Sequence, residues 1–311
     1  MEKKLKILLL CGGAFAFKTI QLLENEKYLF AIGIGGAAPS VSHPLEDACE
    51  NNDIHFKSFA TKKDVKNLAK WINDIKPDFV FSVSFPFLIP ENALSLAEEK
   101  FINFHPGPLP EYRGVMPVFE VLKNEEKETA ISVHFMNSKF DEGDVIFIET
   151  VSINPDDTYG NLSTRLSVRM AQVVLNTAEM LQFVNKIPRR KQDTSKANYY
   201  GKPEIYDTKI DWITMEASEI VALIKACNPW NEGADTMFDG KPIKIIEAIV
   251  CENQHEGIAA GTITSVRNNS VFEVACINKQ QISVSIIKNE NGYQSVQALK
   301  NTANYLHKIL I

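Results

Sequence analysis

Apolar positions run unbroken in the first half of the chain and give way to short alternating runs near its end. Residues 5–10 form an apolar run, interrupted only by Lys6 and halted by Gly12 and Gly13, and Phe17, Ile20, Leu22 and Leu23 then follow helical spacing. A second run, 29–34, ends in another glycine pair. A third, Phe79 to Phe85, follows a helical pattern over 64–75 and Pro77. Unbroken runs alternating with helical patterns predict a parallel sheet covered on both faces. Further strands are expected over 101–105, 129–136 and 145–153, with helices over 117–124 and 158–184.

Residues 186–209 are polar, charged and aromatic without a sustained period, which marks a linker between a first domain, 1–185, and a second, 210–311. The second domain opens on Ile210-Asp211-Trp212 and a helix over 217–226 closed by Asn228-Pro229-Trp230. Short β-like runs follow at 243–250, 261–266, 271–277 and 282–287. The expected fold is α/β: a Rossmann-like, mostly parallel sheet followed by a small β-barrel of OB type.

Composition adds exclusions. Among 311 residues, 45% hydrophobic and 23% charged content is ordinary for a globular protein. No apolar stretch approaches the ~20 residues of a membrane span, and the charged start, broken at Gly12-Gly13, lacks a signal-peptide cleavage site. A soluble, cytoplasmic protein is expected. The cysteines at 11, 49, 227, 251 and 276 have no C-x-x-C spacing, which indicates neither disulfides nor a metal site. A net charge of −6 argues against a dedicated nucleic-acid binder, although Lys186, Arg189, Arg190 and Lys191 form a local basic cluster. Gly12-Gly13 lacks the G-x-G-x-x-G pattern, so neither NAD nor ATP is expected.

Candidate chemistry concentrates between Asn103 and Gly114. Asn103 and His105 sit two apart at a strand end, where alternation points both to one face. Ligands bind beyond the carboxyl ends of strands in open α/β sheets. Asn is a neutral donor for a developing oxyanion, and His moves protons near neutral pH. Asp141, in the loop Phe140-Asp141-Glu142-Gly143-Asp144, is one candidate to orient the imidazole. Such a trio suits acyl transfer to an amine. On spacing alone His105 equally serves to satisfy a turn. His134 reads as a packed strand residue, and His43, His55, His255 and His307 have no evident partner. The Phe79 to Phe87 aromatics read as core, with only residues 85–89 placed to line a pocket.

The combination Asn103-x-His105, the Pro108-Leu109-Pro110-x-Tyr112-Arg113-Gly114 run and Asp141-x-Gly143-Asp144 resembles the 10-formyltetrahydrofolate-dependent formyltransferases. Ile210-Asp211-Trp212 and Asn228-Pro229-Trp230 resemble the second domain of methionyl-tRNA formyltransferases and their sugar-modifying relatives. The resemblance implies that Asn103 holds the formyl oxygen, His105 transfers a proton and Asp141 orients or polarises His105. It also implies that the pterin of 10-formyltetrahydrofolate lies among Phe87, Leu88, Ile89, Asn137, Ser138, Lys139 and Phe140, held mainly by backbone. His105-Pro106-Gly107-Pro108-Leu109-Pro110 departs from the His-x-Ser-Leu-Leu-Pro of many members. The short stretch 35–43 carries no Lys or Arg, where the initiator-tRNA enzymes have a longer basic insertion. The expected acceptor is therefore a small amine, first a nucleotide-linked amino sugar. Methionyl-tRNA, hydrolysis of the folate, and a non-enzymatic folate-binding scaffold are the alternatives; homodimerisation is left open.

Overall fold

A computed structural model describes residues 4–96, 99–184, 186–267, 270–298 and 305–311. The chain divides into two compact units. The first comprises residues 1–117, 128–152 and 163–200; the second comprises 118–127, 153–162 and 201–311.

The first unit is built on a seven-stranded sheet. In chain order its strands are β1 (Ile7–Cys11), β2 (Leu29–Gly35), β3 (His55–Phe59), β4 (Phe79–Val83), β5 (Phe101–His105), β7 (Glu128–Phe135) and β8 (Val145–Ser152). A two-residue strand β6 (Arg113–Gly114) pairs apart from it with β9 (Tyr199–Tyr200). The helices up to residue 183 are α1 (Phe17–Asn25), α2 (Pro39–Asn51), α3 (Leu68–Ile75), the short α4 (Glu91–Leu94), α5 (Pro117–Lys123) and α6 (Tyr159–Phe183). Across the sheet the order is β3-β2-β1-β4-β5-β7-β8. The first five strands are parallel, while β7 and β8 are antiparallel to their neighbours.

Burial explains which strands the hydrophobic pattern revealed. All five residues of β1 are buried, so both its faces must be apolar. Leu8, Leu10, Phe59, Leu68, Ile72, Val80 and Phe85 pack in one core cluster. β3, His-Phe-Lys-Ser-Phe at the sheet edge, buries fully only Phe59 and carries no apolar run. Its His55, unpartnered on sequence grounds, meets the Phe30 ring edge-on at 4.8 Å. No helix among the described residues is long and apolar enough to cross a membrane.

The second unit holds an antiparallel sheet of β10 (Ala234–Phe238), β11 (Lys241–Val250), β12 (Ile263–Arg267), β13 (Val271–Ala275), β14 (Gln281–Asn289) and β15 (Gly292–Ser295). Its order is β10-β11-β14-β13-β12, with β15 on β14. The last residues join its two edges: Leu310 bridges Phe238, and Ile309 bridges Thr262. α7 (Ala217–Ala226) starts on a reciprocal Glu216/Glu219 capping box, satisfying two otherwise orphan N–H groups, and buries Ile220, Leu223 and Ile224. Trp212, 4% exposed, donates Nε1–H to Thr236 Oγ1 at 3.0 Å.

The unit boundary differs from a single linker at 186–209. Phe119 of α5 meets the Trp230 ring at 5.5 Å, and Gly160 N–H donates to Asn228 O at 3.1 Å, which places both segments with the second unit. Residues 190–200 belong to the first unit, because Arg190 and Val145 exchange backbone hydrogen bonds at 2.8 Å and β9 pairs with β6. Within this stretch the Gln192 side chain bonds to the first unit's backbone, at the carbonyls of Asp141 and Gly143, a role that needs no hydrophobic period.

Candidate active site

The sheet reverses between β1 and β4, where open α/β folds place their ligands. That point is closed: a Cβ on Gly12 would lie 2.5 Å from Ser84 O, so the two strand ends are pressed together. The cavity opens one strand further along. It has a volume of about 280 Å³ and is lined by Ser82 on β4 and Ser84 just beyond it, Asn103 and His105 on β5, His134 on β7, and Asp141.

Alternation along β5 sends Ile102 and Phe104 into packing with at most 1% exposure. Asn103 and His105 share a face and line the cavity. The antiparallel register sets His134 opposite Asn103 and Ser132 opposite His105. Ser132 Oγ–H donates to Gly107 O at 2.7 Å and accepts from Leu109 N–H at 3.1 Å, pinning the proline-rich loop after β5.

The three expected catalytic residues meet. His105 Nδ1 lies 3.5 Å from Asp141 Oδ1, and Asn103 Nδ2 lies 3.4 Å from the same oxygen. Asp141 Oδ2 accepts the Gly114 N–H at 3.0 Å. His105 Nε2–H donates to the Tyr112 carbonyl at 2.7 Å, which leaves Nδ1 as its basic nitrogen, facing the carboxylate. Burial lowers the His105 pKa from its ordinary 6.5 against the opposing pull of Asp141 and the Tyr112 carbonyl, so the ring is neutral at pH 7. Burial alone would raise the Asp141 carboxyl, but His105, His134 and the Gly114 N–H outweigh it and hold the pKa at about 2.

His134, expected as a packed strand residue, is 2% exposed but also belongs to this cluster. Its Nδ1–H donates to Phe135 O at 2.8 Å, which turns Nε2 into an acceptor for the Asn103 amide at 3.0 Å. His134 thereby fixes which end of the Asn103 amide faces the cavity. The missing signal is register: β5 and β7 are about thirty residues apart, and neither sequence period sets their pairing.

Phe87, Leu88, Ile89, Asn137, Lys139 and Phe140 line the same cavity. Ser138 instead lines a neighbouring cavity of about 390 Å³ that shares Met136 and Asn137 as a wall. Ile89 is 1% exposed, whereas Leu88 and Phe140 are 36% and 45% exposed, apolar groups available to cover a planar ligand. Aromatic and aliphatic walls beside backbone at residues 87–89 and 137–140 suit a pterin, with one apolar face and a hydrogen-bonding edge.

The Asp141 loop tolerates little added bulk. A Cβ on Gly143 would lie 1.7 Å from Phe135 O, the acceptor of the His134 proton. Gly143→Ala is expected to cost about 2–4 kcal/mol through a forced backbone shift. A lowered midpoint of thermal unfolding with reduced activity checks this; an unchanged midpoint means the loop relaxes freely.

Residues 38–177 match the formyl transferase family model, and residues 205–302 match the model of the formyl transferase C-terminal domain. A methionyl-tRNA formyltransferase of Clostridium novyi is 31% identical over 241 residues, covering 78% of this chain and 76% of that protein. The chain belongs to the formyltransferase family. A second relative, a methionyl-tRNA formyltransferase of Pelagibacter ubique, is 29% identical over 247 residues, 79% of this chain and 76% of that one. This formyltransferase also shares its fold with the crystal structure of an N-formyltransferase from Helicobacter canadensis in complex with folinic acid and dTDP-3-aminofucose. The two superpose with a TM-score of 0.68 at 18% identity, covering 90% of this chain and 98% of that one. The protein is therefore an enzyme of formyl transfer.

Proposed function

We propose that the enzyme moves the formyl group of 10-formyltetrahydrofolate to the primary amine of a nucleotide-linked amino sugar, with Asn103, His105 and Asp141 carrying the transfer. The donor supplies an activated formyl carbon when bound among residues 87–89 and 137–140. Asn103 turns the N–H it holds loosely toward Asp141, across 3.4 Å, onto the formyl oxygen as negative charge builds there. His105 takes the proton of the attacking amine at Nδ1. The resulting imidazolium has both N–H groups met, by Asp141 and by the Tyr112 carbonyl. His105 then returns the proton to the departing folate nitrogen as its bond to the formyl carbon breaks.

The observation that carries the small acceptor is the connection after β2. β2 ends at Gly35 and α2 begins at Pro39, so three residues join them, and α2 contains no Lys or Arg. Its exposed acidic residues Glu46, Asp47 and Glu50 repel a phosphate backbone. The basic cluster is partly spent: Arg189 pairs with Glu99 and lies 4.8 Å from the Phe135 ring centre. The amino sugar in the Helicobacter canadensis complex, dTDP-3-aminofucose, is of the proposed class. Initiator methionyl-tRNA is the second reading, favoured by the names of the sequence relatives.

An isotope-labelled formyl donor separates the two. Offered thymidine- and uridine-diphosphate amino sugars beside methionyl-tRNA, the enzyme is expected to label the sugar amine, with a rate little changed between about 50 and about 200 mM salt. Labelled methionyl-tRNA, with a rate collapsing over the same salt range, would overturn the small-acceptor reading. Release of labelled formate without any amine would point to hydrolysis.

A further inference from the structure

Gln192 lies in the stretch whose composition reads as a linker, yet both ends of its side-chain amide are fully committed. Nε2 donates to the carbonyls of Asp141, at 2.8 Å, and of Gly143, at 2.7 Å. Oε1 accepts from Arg113 Nε at 3.1 Å and from Arg113 Nη2 at 2.8 Å. The side chain thus uses both donors and both acceptor positions on one arginine and one loop. Arg113 Nη1 also lies 3.7 Å from Glu142 Oε1, in the middle of that loop.

These bonds close a ring around Asp141. Arg113 reaches Gln192 by its side chain, Gln192 grips the backbone on either side of Glu142, and the next residue after Arg113, Gly114, donates its N–H to the Asp141 carboxylate. Asp141 itself has φ of +55°, a left-handed conformation that a non-glycine residue keeps only where its surroundings impose it. Gln192 is placed by backbone on both sides: Arg190 is bridged to Val145, and β9 is paired with β6, the strand that holds Arg113 and Gly114.

We infer that Gln192 is a positioning residue for formyl transfer: with Arg113 it holds the Asp141 backbone in the one conformation that points its carboxylate at His105. The inference rests on Asp141 acting in the reaction. Gln192→Leu removes both donors and the acceptor. Gln192→Glu keeps the size and the Arg113 contact but offers no donor to the two carbonyls, so it separates the grip on the loop from packing and from fold.

Both variants are expected to lower kcat about tenfold to a hundredfold while the KM for the folate donor stays within twofold. The acidic limb of the pH–rate profile is expected to move to lower pH, since a displaced carboxylate no longer supports the His105 imidazolium. Combined with Asp141→Asn, either variant is expected to add less than threefold, because both act through one group. Wild-type kcat and pH profile in folded Gln192→Glu, beside a collapse in Asp141→Asn, overturn the positioning role and leave the catalytic reading standing. Multiplied losses in the double variant also overturn it, by making Gln192 independent of Asp141. Full activity of Asp141→Asn would instead remove the catalytic reading itself.

Discussion

Replacing His105 by alanine is expected to lower kcat/KM for formyl transfer about 10²- to 10⁴-fold, the usual worth of a positioned general acid–base group. Nδ1 is its basic nitrogen, since Nε2–H is spent on the Tyr112 carbonyl. Burial holds the pKa below 6.5, so at pH 7 this nitrogen is free to accept a proton. The wild-type rate should be flat near neutrality and fall as the pH drops through that lowered pKa; the alanine variant should lose this limb along with the rate. Stability carries the same sign. With the folded pKa below the unfolded one, the unfolded chain binds the extra proton first, so acid destabilises the fold below about pH 6.5. Rates from pH 5 to 9 on both proteins, with circular dichroism to confirm folding, decide the matter. A variant keeping a tenth of the activity and the same acidic limb would assign the proton transfer elsewhere.

Much of this site is readable in the sequence because its parts obey short-range rules. Asn103 and His105 are two residues apart on a strand whose other face, Ile102 and Phe104, is fully buried, so the period of two fixes their common direction. The strands buried on both faces, such as β1, announce themselves as unbroken apolar runs. β3 does not, because an edge strand needs only one apolar contact row. Asp141 arrives from a loop thirty-six residues beyond His105, and its place comes from family resemblance. His134 and Gln192 depend wholly on pairings that no period encodes: the β5–β7 register for one, the Arg190–Val145 bridge for the other. Gln192 also sits in a stretch without hydrophobic pattern, where a half-buried hydrogen-bonding role leaves no compositional trace.

Asp141→Asn should separate the charge of this residue from its shape, because an asparagine can keep the hydrogen bond from Gly114 while losing the negative charge. At 3.5 Å from His105 Nδ1 the charge is worth on the order of 5 kcal/mol to the imidazolium, taking an effective dielectric of about 20. Reorientation of neighbouring dipoles reduces that, and a fall in kcat of about 10²- to 10³-fold is expected. The pH profile should change in a direction opposite to simple damage. Asp141 pulls the His105 pKa upward, so its neutralisation leaves burial opposed by the Tyr112 carbonyl alone, and the residual activity should persist to lower pH than in the wild type. Stability supplies an independent check. The folded Asp141 carboxyl titrates at about 2, below its ordinary 3.8. The ionised form therefore contributes stability above about pH 4, on the order of 2 kcal/mol, and that contribution disappears as the pH falls through 2. Wild type and Asp141→Asn should thus differ in denaturant midpoint at pH 7 and converge near pH 2. A stability gap that does not close in acid would mean the asparagine acts through packing, and an acidic limb moving to higher pH would mean the carboxylate does not support the imidazolium.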